Sequence, residues 1–247
     1  MYSNESVENI SRELVSSMVL ARIRTVEDLH EQWLRFTHYH RYIETVLLCP
    51  QGPARVLDLG YSEIYSPVLS DLREYTISGI PVMSINFECD RYPFDDESLD
   101  GALCCEVIEH YTDDPLFSMI ELNRIIRPGG FLVLTTPNVT SWEAIYKALR
   151  QDKHPSTFPL YAGGIGAHCI HAREYMVSEV VTLMEAAGFE VEKIYTANYD
   201  PQKVYEPIPG FPEENRGETI YCLARKVSKP RKRAVRWIYG NDIPWEG

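Results

Sequence analysis

The chain has 247 residues, 45% hydrophobic and 24% charged, which suits one soluble domain with a full core and a small accessory segment. Its net charge of -12 argues against a general nucleic-acid binder. No apolar run approaches the length of a membrane span, and the polar start "MYSNESVENISREL" lacks the layout of a secretory signal.

Residues 5–48 are expected to be helical. "SVENISRELVSSMVLARI" and "TVEDLHEQWLRFTHYHRYIETVLL" both space apolar residues at three and four. Thr25 with Asp28 reads as an N-cap and its N3 acid. "CPQGP" then stops the helix, and "ARVLDLG" is a short apolar strand. A helix start follows at Pro67–Leu72. "EYTISG" and "PVMSINFE" are strand-like, and "LDGALCCEV" suits a strand buried on both faces.

"DPLFSMIELNRII" is an amphipathic helix. "PGG" ends it, with Gly129 and Gly130 as turn residues of positive φ, and "FLVLTT" is the next strand. "SWEAIYKALR" is a helix, 152–172 an irregular loop rich in Gly and His, and "VSEVVTLMEAAGF" a further helix. "EVEKIYTAN" and "ETIYCLARK" are the last strands. The alternation predicts an α/β fold: a Rossmann-like, mostly parallel sheet with helices on both faces, an antiparallel C-terminal strand and N-terminal helices. The expected division is a helical cap over 1–50, a main domain over 51–226 and a basic, aromatic tail over 227–247.

The six cysteines include the adjacent Cys104 and Cys105 but no CxxC pair and no His/Cys ligand spacing. They read as reduced, mostly buried thiols of a cytoplasmic protein, with no metal expected. The stretch "RKVSKPRKRAVR" (Arg225 to Arg236) has no acid. It reads as a solvated basic tail or as a contact for an anionic partner.

In an open α/β sheet the ligand sits beyond the carboxyl ends of the strands. Those ends carry Asp58 and Gly60, then Glu88, Cys89 and Asp90, then Glu106 to His110, then Thr136 to Asn138. Acids, amides and one imidazole on one edge describe a cofactor or substrate cleft. The segment "HPSTFPLYAGGIGAHCIH" adds His154, His168 and His171 beside it. His168 and His171 are candidates for substrate ligand or base, and a metal pair is the lesser reading. "GGIGA" is not a dinucleotide fingerprint, because it lacks the third glycine and follows no strand.

The block "YPFDDESLDGALCCEVIEHYTDDPLFSMIELNRIIRPGGFLVLTTPN" (Tyr92 to Asn138) resembles the central half of class I S-adenosylmethionine-dependent methyltransferases. "RVLDLG" resembles their first motif, and "HAREYMVSEVVTLMEAAGFEVEKI" the region near their C-terminus. The resemblance covers roughly residues 54–225. It implies S-adenosylmethionine as cofactor, with the methionine part near the backbone after Gly60 and with Asp58 orienting that turn. It implies Glu88 as the acid for the adenine amino group, Cys89 contributing its backbone, and Glu106 and Val107 beside the sulfonium. His110, His168 and His171 are the catalytic candidates. His38 and His40 lie on N-terminal helices that often close over the substrate in this family.

The first motif is degenerate: Tyr61-Ser62-Glu63 stands where Gly-x-Gly continues in the family. Tyr61 narrows the cofactor space, and Glu63 brings a negative charge near the cofactor's carboxylate unless it turns outward. The second strand and its helix read as shortened, and no acid ends "EYTISG" to hold the ribose. By analogy with methyltransferases that carry HxREY after TPN, the expected function is methylation of a small molecule or glycan precursor, at oxygen. The alternative is a non-catalytic domain that serves as a binding or partner subunit. A nucleic-acid methyltransferase using the basic tail is a third reading, disfavoured by the acidity. A homodimer is compatible with all of these.

Overall fold

The structure, a computed structural model, describes residues 10–80, 84–150 and 171–230. Three helices come first: α1 (Arg12–Arg24), α2 (Leu29–Thr37) and α3 (Tyr39–Leu48). Strand β1 (Ala54–Leu59) leads to α4 (Tyr65–Arg73) and β2 (Tyr75–Ile80). Then come β3 (Leu99–Cys105), a 3-10 turn at Ile108–His110, α5 (Pro115–Ile125) and β4 (Ile126–Pro137). Helices α6 (Trp142–Arg150) and α7 (Val177–Ala186) precede β5 (Phe189–Ala197) and β6 (Thr219–Lys226).

The six strands form one sheet in the order β2-β1-β3-β4-β6-β5. The first four run parallel, and β6 is antiparallel to both β4 and β5. Period-two alternation divides the strand side chains between two cores. Leu57, Leu59, Cys104, Leu132 and Leu134 face α5 and α7, where Leu116, Met119, Leu122, Leu183 and Met184 are fully buried. Val56, Leu103, Val133 and Tyr221 face the other side. There Val15, Val19 and Ile23 of α1 fall four apart on one stripe, and Ile43 and Val46 of α3 join Val68 and Leu69 of α4. Burying aliphatic side chains of this size is worth roughly 2 kcal/mol each. The N-terminal helices thus share a core with the sheet.

Helix-end chemistry at Thr25 differs from expectation. Its backbone is helical (φ -81°, ψ -9°) and it ends α1, its Oγ1 donating to the Arg22 carbonyl at 2.7 Å. The N-cap of α2 is Asp28, which is extended (φ -73°, ψ 120°) and accepts from the Glu31 N–H at 2.8 Å. A side chain can cap only from a residue outside the helical region.

The expected "PVMSINFE" strand also fails over its described part. Asn86 accepts from the Glu88 N–H through its side chain and from the Cys89 and Asp90 N–H groups through its carbonyl. Asp90 in turn accepts from the Asn86 N–H at 2.7 Å. These local bonds close a turn that outcompetes a ladder. Strand β2 itself pairs with β1 over all six positions. Gly129 and Gly130 lie inside β4 at a register shift against β3. Only Gly129 has positive φ (74°). At Gly130 a β-carbon would sit 2.5 Å from the Asp100 carbonyl oxygen, so crowding, not torsion, excludes a side chain.

Candidate functional site

The carboxyl ends of β1, β3 and β4 open onto a cavity of about 680 Å³, a size that suits a cofactor or small ligand. Gly60, Glu106, Val107 and Thr135 contribute from the strand ends, Tyr61 and Glu88 from one side, and Arg41 from α3 on the other.

The turn at Gly60 is held from below. Asp58 is fully buried and accepts from the Ser62 N–H at 2.7 Å, the Ser66 hydroxyl at 2.5 Å and the Tyr65 hydroxyl at 3.1 Å. Burial pushes its pKa up, and these three donors oppose the shift. Asp58 therefore shapes the turn and the start of α4 from outside the cavity wall. Gly60 takes φ +103°, open to glycine alone in practice, and a β-carbon there would meet only Val107 Cγ2, at 3.8 Å.

Tyr61 follows, left-handed at φ 38°. It leans on the end of β2, where a β-carbon on Gly79 would fall 2.8 Å from Tyr61 Cβ. The aromatic residue thus covers the end of β2, the strand that ends without an acid, and it lines the cavity. Glu63 is exposed and lies outside the wall.

Glu88 lies in the wall, but its carboxylate is engaged. It accepts the N–H groups of Thr112, Asp113 and Asp114 at 3.1, 2.6 and 2.9 Å, fastening the 86–90 turn to the start of α5. Cys89 is exposed and outside the wall, and its N–H is bonded to the Asn86 carbonyl.

Glu106 directly follows β3 with a left-handed backbone, φ 56°. Its N–H still donates to the Thr135 carbonyl at 2.8 Å, which keeps it in register with the sheet. Its carboxylate accepts from Arg41 Nη1 at 2.7 Å and from Thr135 Oγ1 at 2.9 Å. Burial works against the Arg41 charge; Glu106 and the neighbouring Tyr199 outweigh it and raise the Arg41 pKa. Arg41 escapes sequence reading because 65 positions separate it from its partner. The sequence had drawn attention instead to its neighbours His38 and His40.

One turn further on, Glu109 is fully buried. Thr136 Oγ1 donates to its Oε2 at 3.0 Å. Burial, with the Glu106 charge beside it, pushes the Glu109 pKa well up. His110 reaches the cavity, and its ring packs edge-on against His171 at 5.2 Å. His171 Nδ1 lies 3.3 Å from Glu174 Oε1. The structure thus brings together Gly60, Val107, Glu106 and His110 around one opening, with His171 against the His110 ring but outside the cavity wall; His154 and His168 lie outside the described residues. Glu109 was missed as a site residue, because nothing in "EVIEH" tells which acid turns inward.

A family model described as "Methyltransferase domain" matches residues 51–134. Over 100 residues the chain is 33% identical to a Mycolicibacterium smegmatis protein named "Probable S-adenosylmethionine-dependent methyltransferase". That alignment covers 40% of this chain and 32% of that protein. Over 107 residues it is 29% identical to a Mycobacterium ulcerans protein named as a phthiotriol/phenolphthiotriol dimycocerosates methyltransferase, covering 41% of each. The chain thus spans 32% to 41% of the length of these curated relatives. Among solved structures, a chain from the Haloferax volcanii complex of the Trm112 methyltransferase activator with a methyltransferase shares the fold. Its TM-score is 0.56 at 16% identity, over 85% of this chain and 98% of that one.

Proposed function

We infer that this chain, a member of the class I S-adenosylmethionine-dependent methyltransferases whose cofactor is S-adenosylmethionine, methylates a hydroxyl oxygen of a small molecule or glycan precursor. One observation carries the reading. A single cavity joins the Gly60–Val107 floor to the polar side chains of Arg41, Glu106 and His110.

The residues present fit the cofactor. The floor at Gly60 has no side chain, and Glu63 is exposed and outside the cavity wall. Gly60 and Val107 would face the methionine and sulfonium part, with Tyr61 beside the ribose. Glu88 would offer its remaining acceptor position to the adenine amino group. When bound, the cofactor supplies an electrophilic methyl group. The chain's own part is to place the acceptor oxygen in line and take one proton, with His110 and His171 as the candidate bases. The choice of a hydroxyl acceptor draws support from the His110 imidazole in the cavity wall, with His171 packed beside it, and from the phthiotriol named for one relative.

Calorimetry with S-adenosylhomocysteine tests the cofactor half, and transfer of a labelled methyl group to polyol and sugar acceptors tests the rest. Saturable binding is expected. Its absence at millimolar concentration would sink the enzymatic reading.

A second reading, a non-catalytic domain that binds a partner, is favoured by the Tyr61 substitution and the engaged carboxylate of Glu88. One protein of the same fold is held by an activator. The S-adenosylhomocysteine titration separates the two readings.

A further inference from the structure

Three side chains of metal-ligand type meet beside the cavity. One ligand atom each from Glu109, His110 and His171 lies within 4.8 Å of the others. The backbone builds this meeting. The Ala172 and Arg173 N–H groups donate to the Glu109 carbonyl at 2.7 and 3.1 Å, tying the chain next to His171 to the turn that carries Glu109 and His110.

The state of Glu109 is the second observation. Thr136 occupies Oε2, while Oε1 is buried with no hydrogen-bond partner, 3.9 Å from His110 Nε2. A buried carboxylate oxygen left without a partner is costly, and an ion that is not present is one established reason for it. Arg41 is spent on Glu106, so two neighbouring carboxylates face one guanidinium.

The outer shell has the arrangement that metal sites use. His171 Nδ1 lies 3.3 Å from the Glu174 carboxylate; an N–H donated there would fix the ring and leave Nε2 as its ligating atom. Thr136 does the same for Glu109 by holding one oxygen and aiming the other. Two imidazoles and one carboxylate match a borderline divalent ion better than magnesium or calcium.

We propose that Glu109, His110 and His171 bind a divalent transition-metal ion that takes the acceptor hydroxyl into its open coordination positions. The role for the hydroxyl rests on the proposed methylation at oxygen; the ion site itself does not. A coordinated hydroxyl is held in place and gives up its proton more readily than a free one; with both imidazoles on the ion that proton passes to water, so the ion takes over the part assigned above to a histidine base. His110 lines the cavity, so the ion would stand at the wall where the acceptor must approach.

The test uses the full chain, stripped with a chelator and titrated with Co²⁺ by calorimetry and visible absorption. The expected result is one saturable equivalent with a d–d absorption band and a raised melting temperature. His171→Ala and Glu109→Gln should each weaken Co²⁺ binding by about 100-fold, and Glu174→Gln by about tenfold. His171 is partly exposed, and His171→Ala should melt like the parent without metal, which separates a lost ligand from a lost fold.

The absence of one-to-one Co²⁺ binding would overturn the site, as would an affinity unchanged in His171→Ala. S-adenosylhomocysteine binding, measured separately on metal-free protein, distinguishes failure of this site from failure of the methyltransferase reading.

Discussion

Arg41 Nη1 and Glu106 Oε2 meet at 2.7 Å, joining the N-terminal helices to the end of the central strand. Both side chains are about 15% exposed or less, so the pair is largely desolvated. Removing one partner of such a pair strands the other charge, while removing both costs less. Arg41→Ala should lower stability by about 3 kcal/mol in urea unfolding. Arg41→Met combined with Glu106→Gln should recover at least half of that. Equal losses in the single and double variants would show that the pair contributes packing only.

Tyr61 holds a left-handed backbone that a β-carbon disfavours by about 1 kcal/mol. Tyr61→Gly relieves that cost and removes a half-exposed ring from the cavity wall. Its expected stability matches the parent or exceeds it by up to about 1 kcal/mol. Affinity for S-adenosylhomocysteine should rise if the ring merely narrows the space. A severalfold fall in calorimetric affinity would instead make Tyr61 a binding residue.

Asp58 satisfies three donors at once. Asp58→Ala leaves the Ser62 N–H and the hydroxyls of Tyr65 and Ser66 to find other partners in a buried place. A cost of about 3 kcal/mol follows, read as a lower denaturant midpoint with an unchanged m-value. Asp58→Asn keeps an acceptor oxygen and should fall between. A loss below about 0.5 kcal/mol in Asp58→Ala would contradict the assigned role.

His38 lies where α2 meets α3, edge-on to Tyr199 at 5.5 Å. Burial, then the charges of Arg41 and Arg35, lower its pKa from 6.5 to about 4. Between these values the unfolded chain binds a proton that the folded chain refuses, so stability falls as pH falls. The contribution is complete above pH 6.5 and lost by about pH 4. Allowing for partial exposure, it amounts to about 2 kcal/mol. His38→Gln should flatten that part of the stability-versus-pH curve; an unaltered slope would rule His38 out as its source.

The order of elements was legible in the sequence because buried parallel strands read as unbroken apolar runs and amphipathic helices as three-four spacings. "LDGALCC" and "DPLFSMIELNRII" are such cases, and both became elements near their expected limits. The site was legible where a strand end supplies the residue, as at Gly60 and Val107. It was not legible where distant parts of the chain meet. Arg41 gains its meaning from Glu106, and Tyr61 from Gly79 across the neighbouring strand. Local competition misled as well: Asn86 spends its side chain on its own backbone, so a strand-like pattern became a turn.

The floor of the cavity makes a further distinction. At Gly60 the nearest obstacle to a methyl group is 3.8 Å away, an ordinary contact distance, yet the torsion of +103° is one that L-residues avoid. Position 60 is therefore guarded by rotation and not by volume. A substitution there would leave the cavity nearly its present size and would instead swing the chain that follows, carrying Tyr61 and the first turn of α4 with it.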